Sequence, residues 1–147
     1  MVTVRKSKLG ELYEFAKMNE QSHVANHLNM KSLEAHQDEY KNDNAIFLSI
    51  LFNFNQLAGY IILVKEDNAQ NAQIKRVLVD ERHLGVGQKA IVAMENYCIT
   101  ELKIEKIWLD VFKNNNRAIH IYKKLGYKVF KEDEEDSRAV FFYEKML

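Results

Sequence analysis

The stretch Gln73–Ala93, QIKRVLVDERHLGVGQKAIVA, decides the fold. Ile74, Val77 and Val79 are β-branched. An apolar run bounded by polar residues suits a buried strand. Gly85 and Gly87 follow, and then Ala90, Ile91, Met94, Tyr97, Cys98 and Leu102 recur at helical spacing. The reading is strand, glycine turn, helix. Glycines there let the backbone approach a ligand closely. The first turn of the helix adds unpaired N–H groups and the positive end of a dipole. Together these make an anion site, most often for phosphate.

The pattern Arg82-His83-Leu84-Gly85-Val86-Gly87 is R-x-x-G-x-G, which by itself equally describes a plain strand-to-helix turn. It is neither a Rossmann fingerprint nor a P-loop, because G-x-G-x-x-G and Gly-Lys-Ser/Thr are both absent.

A second segment, Trp108–Tyr127, WLDVFKNNNRAIHIYKKLGY, settles the choice. It contains N-x-R-A-I-x-x-Y-x-K-x-G-Y from Asn115 through Tyr122 to Gly126 and Tyr127. With these two motifs in this order, the sequence resembles the GNAT superfamily of N-acetyltransferases, which use acetyl-coenzyme A. The resemblance runs from about Ile46 to the C-terminus. It implies an α+β domain with a mixed, mostly antiparallel central sheet flanked by helices, whose two central strands splay apart around the cofactor.

Working outward, Val2–Arg5 reads as a first strand, and Leu9, Leu12, Tyr13, Phe15, Ala16 and Met18 as an amphipathic helix. Glu20–Tyr40 reads as short helices. Its histidines, His23, His27 and His36, match no metal-ligand spacing and are expected to be solvated or locally bonded, with no metal. Ala45–Phe52 and Leu57–Val64 form an antiparallel hairpin, with Gly59 marking a bulge or a close backbone approach. Glu105–Phe112 is a strand and Asn116–Leu125 a helix ended by Gly126. Tyr127–Phe130 and Ala139–Met146 are expected to form a last hairpin around an acidic loop, Glu132–Asp136.

The chain has 147 residues, 47% apolar and 29% charged, which favours one domain over residues 1–147. Lys plus Arg equals Asp plus Glu, so charge favours neither nucleic-acid nor membrane binding. No apolar run reaches ~18 residues. Lone Cys98 lies on an apolar helix face, as packing. A cytoplasmic enzyme is the expectation, with a homodimer left open.

The resemblance assigns roles. The turn His83, Leu84, Gly85, Val86, Gly87 and Gln88 would bind the pyrophosphate of coenzyme A. The backbone of Val77, Leu78 and Val79 would take the pantetheine amides, as a sheet edge takes a peptide. Asn115 matches an asparagine that contacts the pantetheine arm, although asparagine also caps helices well. Arg117 is open between phosphate contact and solvation. Tyr122 occupies the position of a tyrosine near the thioester sulfur, where a phenol can protonate the leaving thiolate. Packing on its apolar helix face is the alternative.

The amine must lose a proton before it attacks. Many relatives carry a glutamate where this chain has Gln73, which cannot act as a base. Others use an acid on the next strand, here Asp110. On that strand Trp108, Asp110 and Phe112 share a face. An acid between two aromatics is either functional or paired with a nearby base. Glu81 and Glu34 are weaker candidates. The expected activity is acetyl transfer from acetyl-CoA to a small-molecule amine, cationic because of the acidic run. A protein N-terminus or lysine as acceptor, or a non-catalytic CoA-binding module, are the alternatives.

Overall fold

The computed structural model describes residues 1–25, 28–67 and 70–147. Its elements are β1 (Val2–Lys6), α1 (Glu11–Met18), α2 (Ser22–Ala25), α3 (Leu33–Tyr40), β2 (Ala45–Phe52), β3 (Gln56–Lys65) and β4 (Asn71–Val79). Then come α4 (Gly87–Tyr97), β5 (Lys106–Phe112), α5 (Asn116–Lys124), β6 (Lys128–Glu135) and β7 (Arg138–Met146). The strands form one sheet in the order β1-β2-β3-β4-β5-β7-β6. Only β4 and β5 run parallel; the other neighbours are antiparallel. This is the mixed, mostly antiparallel sheet expected.

The apolar run in β3 has no polar alternation because both faces of that strand are covered. Tyr60 and Ile62 face Leu12, Phe15, Met18 and Phe47 on the α1–α3 side. Ile61 and Leu63 face Ile91, Met94, Cys98 and Tyr143 on the α4 side. All four β3 residues are fully buried, each aliphatic one contributing about 1.5–3 kcal/mol of transfer free energy. Gly59 permits this layering. Pairing slips by one residue between Ile50 and Leu51 of β2, opposite Gly59 and Leu57. A Cβ at Gly59 would lie 2.2 Å from the Leu78 carbonyl oxygen. The bulge and the close approach occur together.

Helix α4 presents Ala90, Ile91 and Met94 to the sheet while Val92 faces solvent. A π turn, Cys98–Leu102, extends it and stops at Lys103, which is left-handed at φ 55°. The Cys98 thiol is buried against the Met94 sulfur, and burial pushes it up to about 12, as befits packing.

One expectation fails. The acidic run is not a loop: Glu132–Glu135 continue β6, paired with Phe141 through Arg138 of β7. The turn is only Asp136-Ser137, at φ 51° and 63°. Positive φ at both central residues matches the twist of a tight hairpin. Every β6 residue is exposed. An edge strand tolerates charge, which also blunts edge-to-edge pairing. Lys113 (3.4 Å from Glu132) and Lys131 (3.4 Å from Asp133) offset part of the repulsion.

Candidate active site

The site begins where β4 and β5 part. Their ladder holds three pairs, Asn71–Lys106, Ala72–Ile107 and Gln73–Trp108. Beyond it β4 runs on to Val79 and β5 to Phe112 without pairing to each other. The cause lies on the other edge of β4. Ile62 pairs with Arg76 and Leu63 with Ile74, so Lys75 is bulged out. A bulge bends its strand and increases its twist, which turns β4 away from β5. Trp108, at the base of the fork, is pinned by its indole N–H to Glu66 at 2.6 Å. Gln73 is still in the ladder, below the fork.

The gap opens into a cleft of about 670 Å³, a size that suits a cofactor or drug-sized ligand. Val77, Leu78, Val79, Leu84, Gly85, Gly87, Gln88, Asp110, Asn115 and Tyr122 all line it. His83 and Val86 do not. The His83 ring lies 5.5 Å from Phe52, with Nε2 3.4 Å from Gln56 Oε1. Val86 is the N-cap of α4, its carbonyl accepting from Ala90. Those two residues contribute to the shape of the turn.

The turn suits an anion. No side chain caps α4 and no acid lies in its first turn. By contrast α1 starts with Glu11 and Glu14, and α3 is capped by Ser32. Uncapped first-turn N–H groups are left to a ligand or water. Gly85 takes φ +110°, and a Cβ there would meet nothing within 4 Å. At Gly87 a Cβ would meet only Ile121 Cδ1, at 4.0 Å. The protein itself crowds neither position. On the β4 edge the Val79 carbonyl is already taken by His23 Nε2, which donates at 2.8 Å. His23 Nδ1 is buried without a partner.

From α5 come Asn115 and Tyr122. Asn115 caps the helix, its Oδ1 accepting from Ala118 N–H at 3.3 Å. Capping engages the oxygen but not the amide N–H₂, on a residue that lines the cleft. Tyr122 is 7% exposed and packs edge-on to Tyr127 at 5.3 Å. Burial alone pushes its phenol above the usual tyrosine range, and among the described residues its hydroxyl has no hydrogen-bond partner. Tyr127, in contrast, donates to buried Glu95 at 2.8 Å, which Lys145 also meets at 3.1 Å.

Asp110 is half-buried on the opposite lip, and its partner is not a base. The Glu135 carboxyl, also lining the cleft, hydrogen-bonds to the Asp110 carboxyl. That bond, with burial and the charges of Asp110, Asp136 and Asp133, raises Glu135 to about 7. Glu81 and Glu34 do not line the cleft.

On the α1–α3 side Arg76 lines the cleft. Its Nε donates to the Tyr60 hydroxyl at 3.1 Å, and its Nη2 reaches Asn19 Oδ1 and the Asn29 carbonyl. Tyr60 is fully buried. His36 Nδ1–H donates to the Ser32 carbonyl at 2.6 Å, so Nε2 accepts from the Tyr60 hydroxyl at 2.7 Å. His36 is therefore a satisfied core group. Among the described residues no cluster of three potential metal ligands occurs; His27 lies outside them. Sequence reading missed Glu135, Arg76 and His23 as wall residues. The run of acids was a signal for Glu135, hidden by reading it as a loop.

The fork, the uncapped glycine turn and the unpartnered phenol define an open-sheet α/β domain whose cleft has the size and chemistry for a long, phosphate-bearing ligand. Comparison with known proteins makes the assignment specific. The chain belongs to the acetyltransferase (GNAT) family, whose model matches residues 11–127. It is 35% identical over 75 residues to spermidine N(1)-acetyltransferase of Escherichia coli (strain K12), covering 49% of this chain and 40% of that protein. It is 29% identical over 87 residues to N-alpha-acetyltransferase 50 of Danio rerio, covering 56% of this chain and 52% of that one. The chain thus spans about half or less of the length of these curated relatives. Among solved structures, spermidine N-acetyltransferase from Vibrio cholerae, in complex with CoA and spermine, matches with TM-score 0.83. Identity is 17%, covering 99% of this chain and 95% of that one. An aminoglycoside acetyltransferase with coenzyme A and kanamycin matches with TM-score 0.82, at 18% identity and the same coverage. At such identity the likeness establishes the fold. No described helix is long and apolar enough to cross a membrane.

Proposed function

We propose that the chain is an acetyl-CoA-dependent N-acetyltransferase whose acceptor is a small cationic amine. The observation that carries this reading is the fork itself: one cleft joins an uncapped glycine turn, an unpaired strand edge and a buried, unpartnered phenol. The turn from Leu84 to Gln88 takes the pyrophosphate. The β4 edge at Val77–Val79, apart from the Val79 carbonyl held by His23, and the Asn115 amide take the pantetheine arm, which lies along the gap with its sulfur toward the base of the fork. The acetyl carbonyl then comes near Asp110, two residues past the last ladder pair. The cosubstrate supplies an activated acyl group; the chain's residues handle protons. Tyr122 donates to the departing thiolate, and its low exposure excludes water from that step. Asp110 receives the amine's proton.

The cationic acceptor is supported by the carboxyls at the mouth and by relatives named for spermidine and spermine. A protein N-terminus is the second reading, supported by the Danio rerio relative. Cytoplasm is the proposed compartment, in keeping with a single buried free thiol. A homodimer is the proposed assembly, read by sedimentation. The deciding experiment mixes the protein with acetyl-CoA and a panel of polyamines, amino sugars and peptides, and follows free thiol. Thiol release with polyamines or amino sugars supports the proposal. Cofactor binding with no thiol from any amine overturns it in favour of a non-catalytic module.

A further inference from the structure

Asp110 and Glu135 come from distant elements, yet register places them on one face. Glu135 closes β6 opposite Arg138. Arg138, Val140 and Phe142 alternate along β7 and so share a face. Val140 pairs with Phe112 and Phe142 with Asp110. The twist of the hairpin brings the end of β6 over β5, and the two carboxyls bond directly.

Among the described residues neither carboxyl forms an ion pair, and the nearby cations are engaged elsewhere. Arg138 stacks 3.8 Å over the Phe112 ring and reaches Asn114 at 3.5 Å. Lys131 is held by Asp133 and the Phe142 ring, and Lys113 by Glu132 and the Phe141 ring. Asp133 and Asp136 add negative charge from the hairpin. The other charged and titratable groups lining the cleft are Arg76 and Lys75 on β4, His23 on α2, and Arg117 and His120 on α5. Arg76 is anchored on neutral groups, and Lys75 pairs with Glu39 at 2.7 Å. The neighbouring Asp110 carboxyl helps raise Glu135 to about 7, because adjacent carboxylates repel. An ammonium placed between them removes that repulsion. The cleft offers an independent sign of a ligand: Tyr122, a residue only 7% exposed, lines it, and among the described residues nothing bonds its hydroxyl.

We propose that Glu135 is the second half of a carboxyl pair with Asp110 that seats the acceptor's ammonium and takes its proton. This rests on the acetyltransferase reading above. The ionised pair accepts one proton from R–NH₃⁺. The neutral amine attacks the thioester carbonyl, a C–N bond forms and the C–S bond breaks. A second proton leaves the nitrogen as the amide forms, and the thiolate gains one through Tyr122. The third hydrogen stays on the amide, and the pair returns its proton to solvent. The product nitrogen is neutral, so the pair no longer holds it.

The test is Glu135→Gln, with Glu135→Asp as the conservative rescue. In the wild type, kcat/KM for a diamine should rise with pH through about 7, where Glu135 ionises. The sign follows from the working form being the deprotonated one. In E135Q that break should vanish and KM for the diamine should rise roughly tenfold, the loss of one charge-assisted bond. E135D should restore part of both. Coenzyme A affinity by calorimetry should be unchanged, which separates the pair from a folding defect. A wild-type pH profile and KM in folded E135Q would overturn the pair while leaving the acetyltransferase reading intact. Absence of thiol release from the wild type with every amine would overturn that reading, and the pair's role with it.

Discussion

Replacing Gly59 with alanine should weaken the fold and the cofactor site together. The new Cβ would lie 2.2 Å from the Leu78 oxygen, 2.9 Å from Val79 Cα and 3.1 Å from the Leu78 carbonyl carbon. Ordinary contact needs roughly an ångström more, and backbone cannot rotate aside as a side chain does. Overpacking of this kind costs about 3 kcal/mol. For a domain of this size that lowers Tm by roughly 6–12 °C. The displaced atoms belong to Leu78 and Val79, the strand edge proposed to receive the pantetheine arm. Coenzyme A should therefore bind at least tenfold more weakly at a temperature where the variant is folded. Gly10→Ala is the control: a Cβ there meets nothing within 4 Å, and the change should stay within about 0.5 kcal/mol. Urea unfolding followed by circular dichroism gives the first number and calorimetric titration the second. A Gly59→Ala protein with the wild-type urea midpoint and wild-type affinity would refute the close-approach reading.

Gly87→Glu should leave the urea midpoint nearly unchanged, since only Ile121 Cδ1 comes within 4.0 Å of the new Cβ, yet abolish coenzyme A binding in calorimetry. The added carboxylate would sit beside the pyrophosphate at an uncapped helix start. Tyr122→Phe should keep cofactor affinity and lower turnover roughly ten- to a thousandfold, the scale of a lost general acid; wild-type turnover would assign Tyr122 to packing. Stability should fall on acidification below about pH 6.5. Burial lowers the His36 pKa against the opposing Ser32 bond, with the Lys31 and Arg76 charges adding to the lowering. A depressed histidine pKa means the unfolded chain binds the proton first. Its contribution is whole above 6.5 and lost as pH falls toward the folded value. Urea midpoints at pH 7.5 and 5, compared with those of His36→Gln, check this; equal pH slopes in both proteins would count against it.

The strands were legible where hydrophobicity had one cause. Ala45–Phe52 is an apolar run bounded by turns, and the strand has those bounds. Gly85 announced the turn because its φ of 110° favours glycine. What stayed hidden depends on pairs distant in sequence. No residue type marks Lys75 as a bulge; the mismatch with Leu63 and Ile62 makes it one. The acids of β6 have low strand preference, and it is pairing with Phe141, Val140 and Ala139 that draws them into the sheet. Asp110 was visible as an acid between aromatics. Its partner was not, because Glu135 reaches it only through hairpin twist. Reading His36 as solvated or locally bonded held for the bond to Ser32, while its full burial depends on Tyr60, 24 positions away.

Three residue pairs join one half of the sheet, β1 to β4, to the other, β5, β7 and β6. A seam that short resembles an unfinished weld. A ligand bonded to both banks would do the work of a missing strand. The chain should thus be markedly harder to melt when loaded, by RT ln(1 + [L]/Kd). At a hundred times Kd that is about 2.7 kcal/mol. Amide exchange should slow most along Val77–Val79 and Leu109–Phe112, the two free banks. The cell's supply of cofactor would then set how long the molecule lasts as well as how fast it turns over.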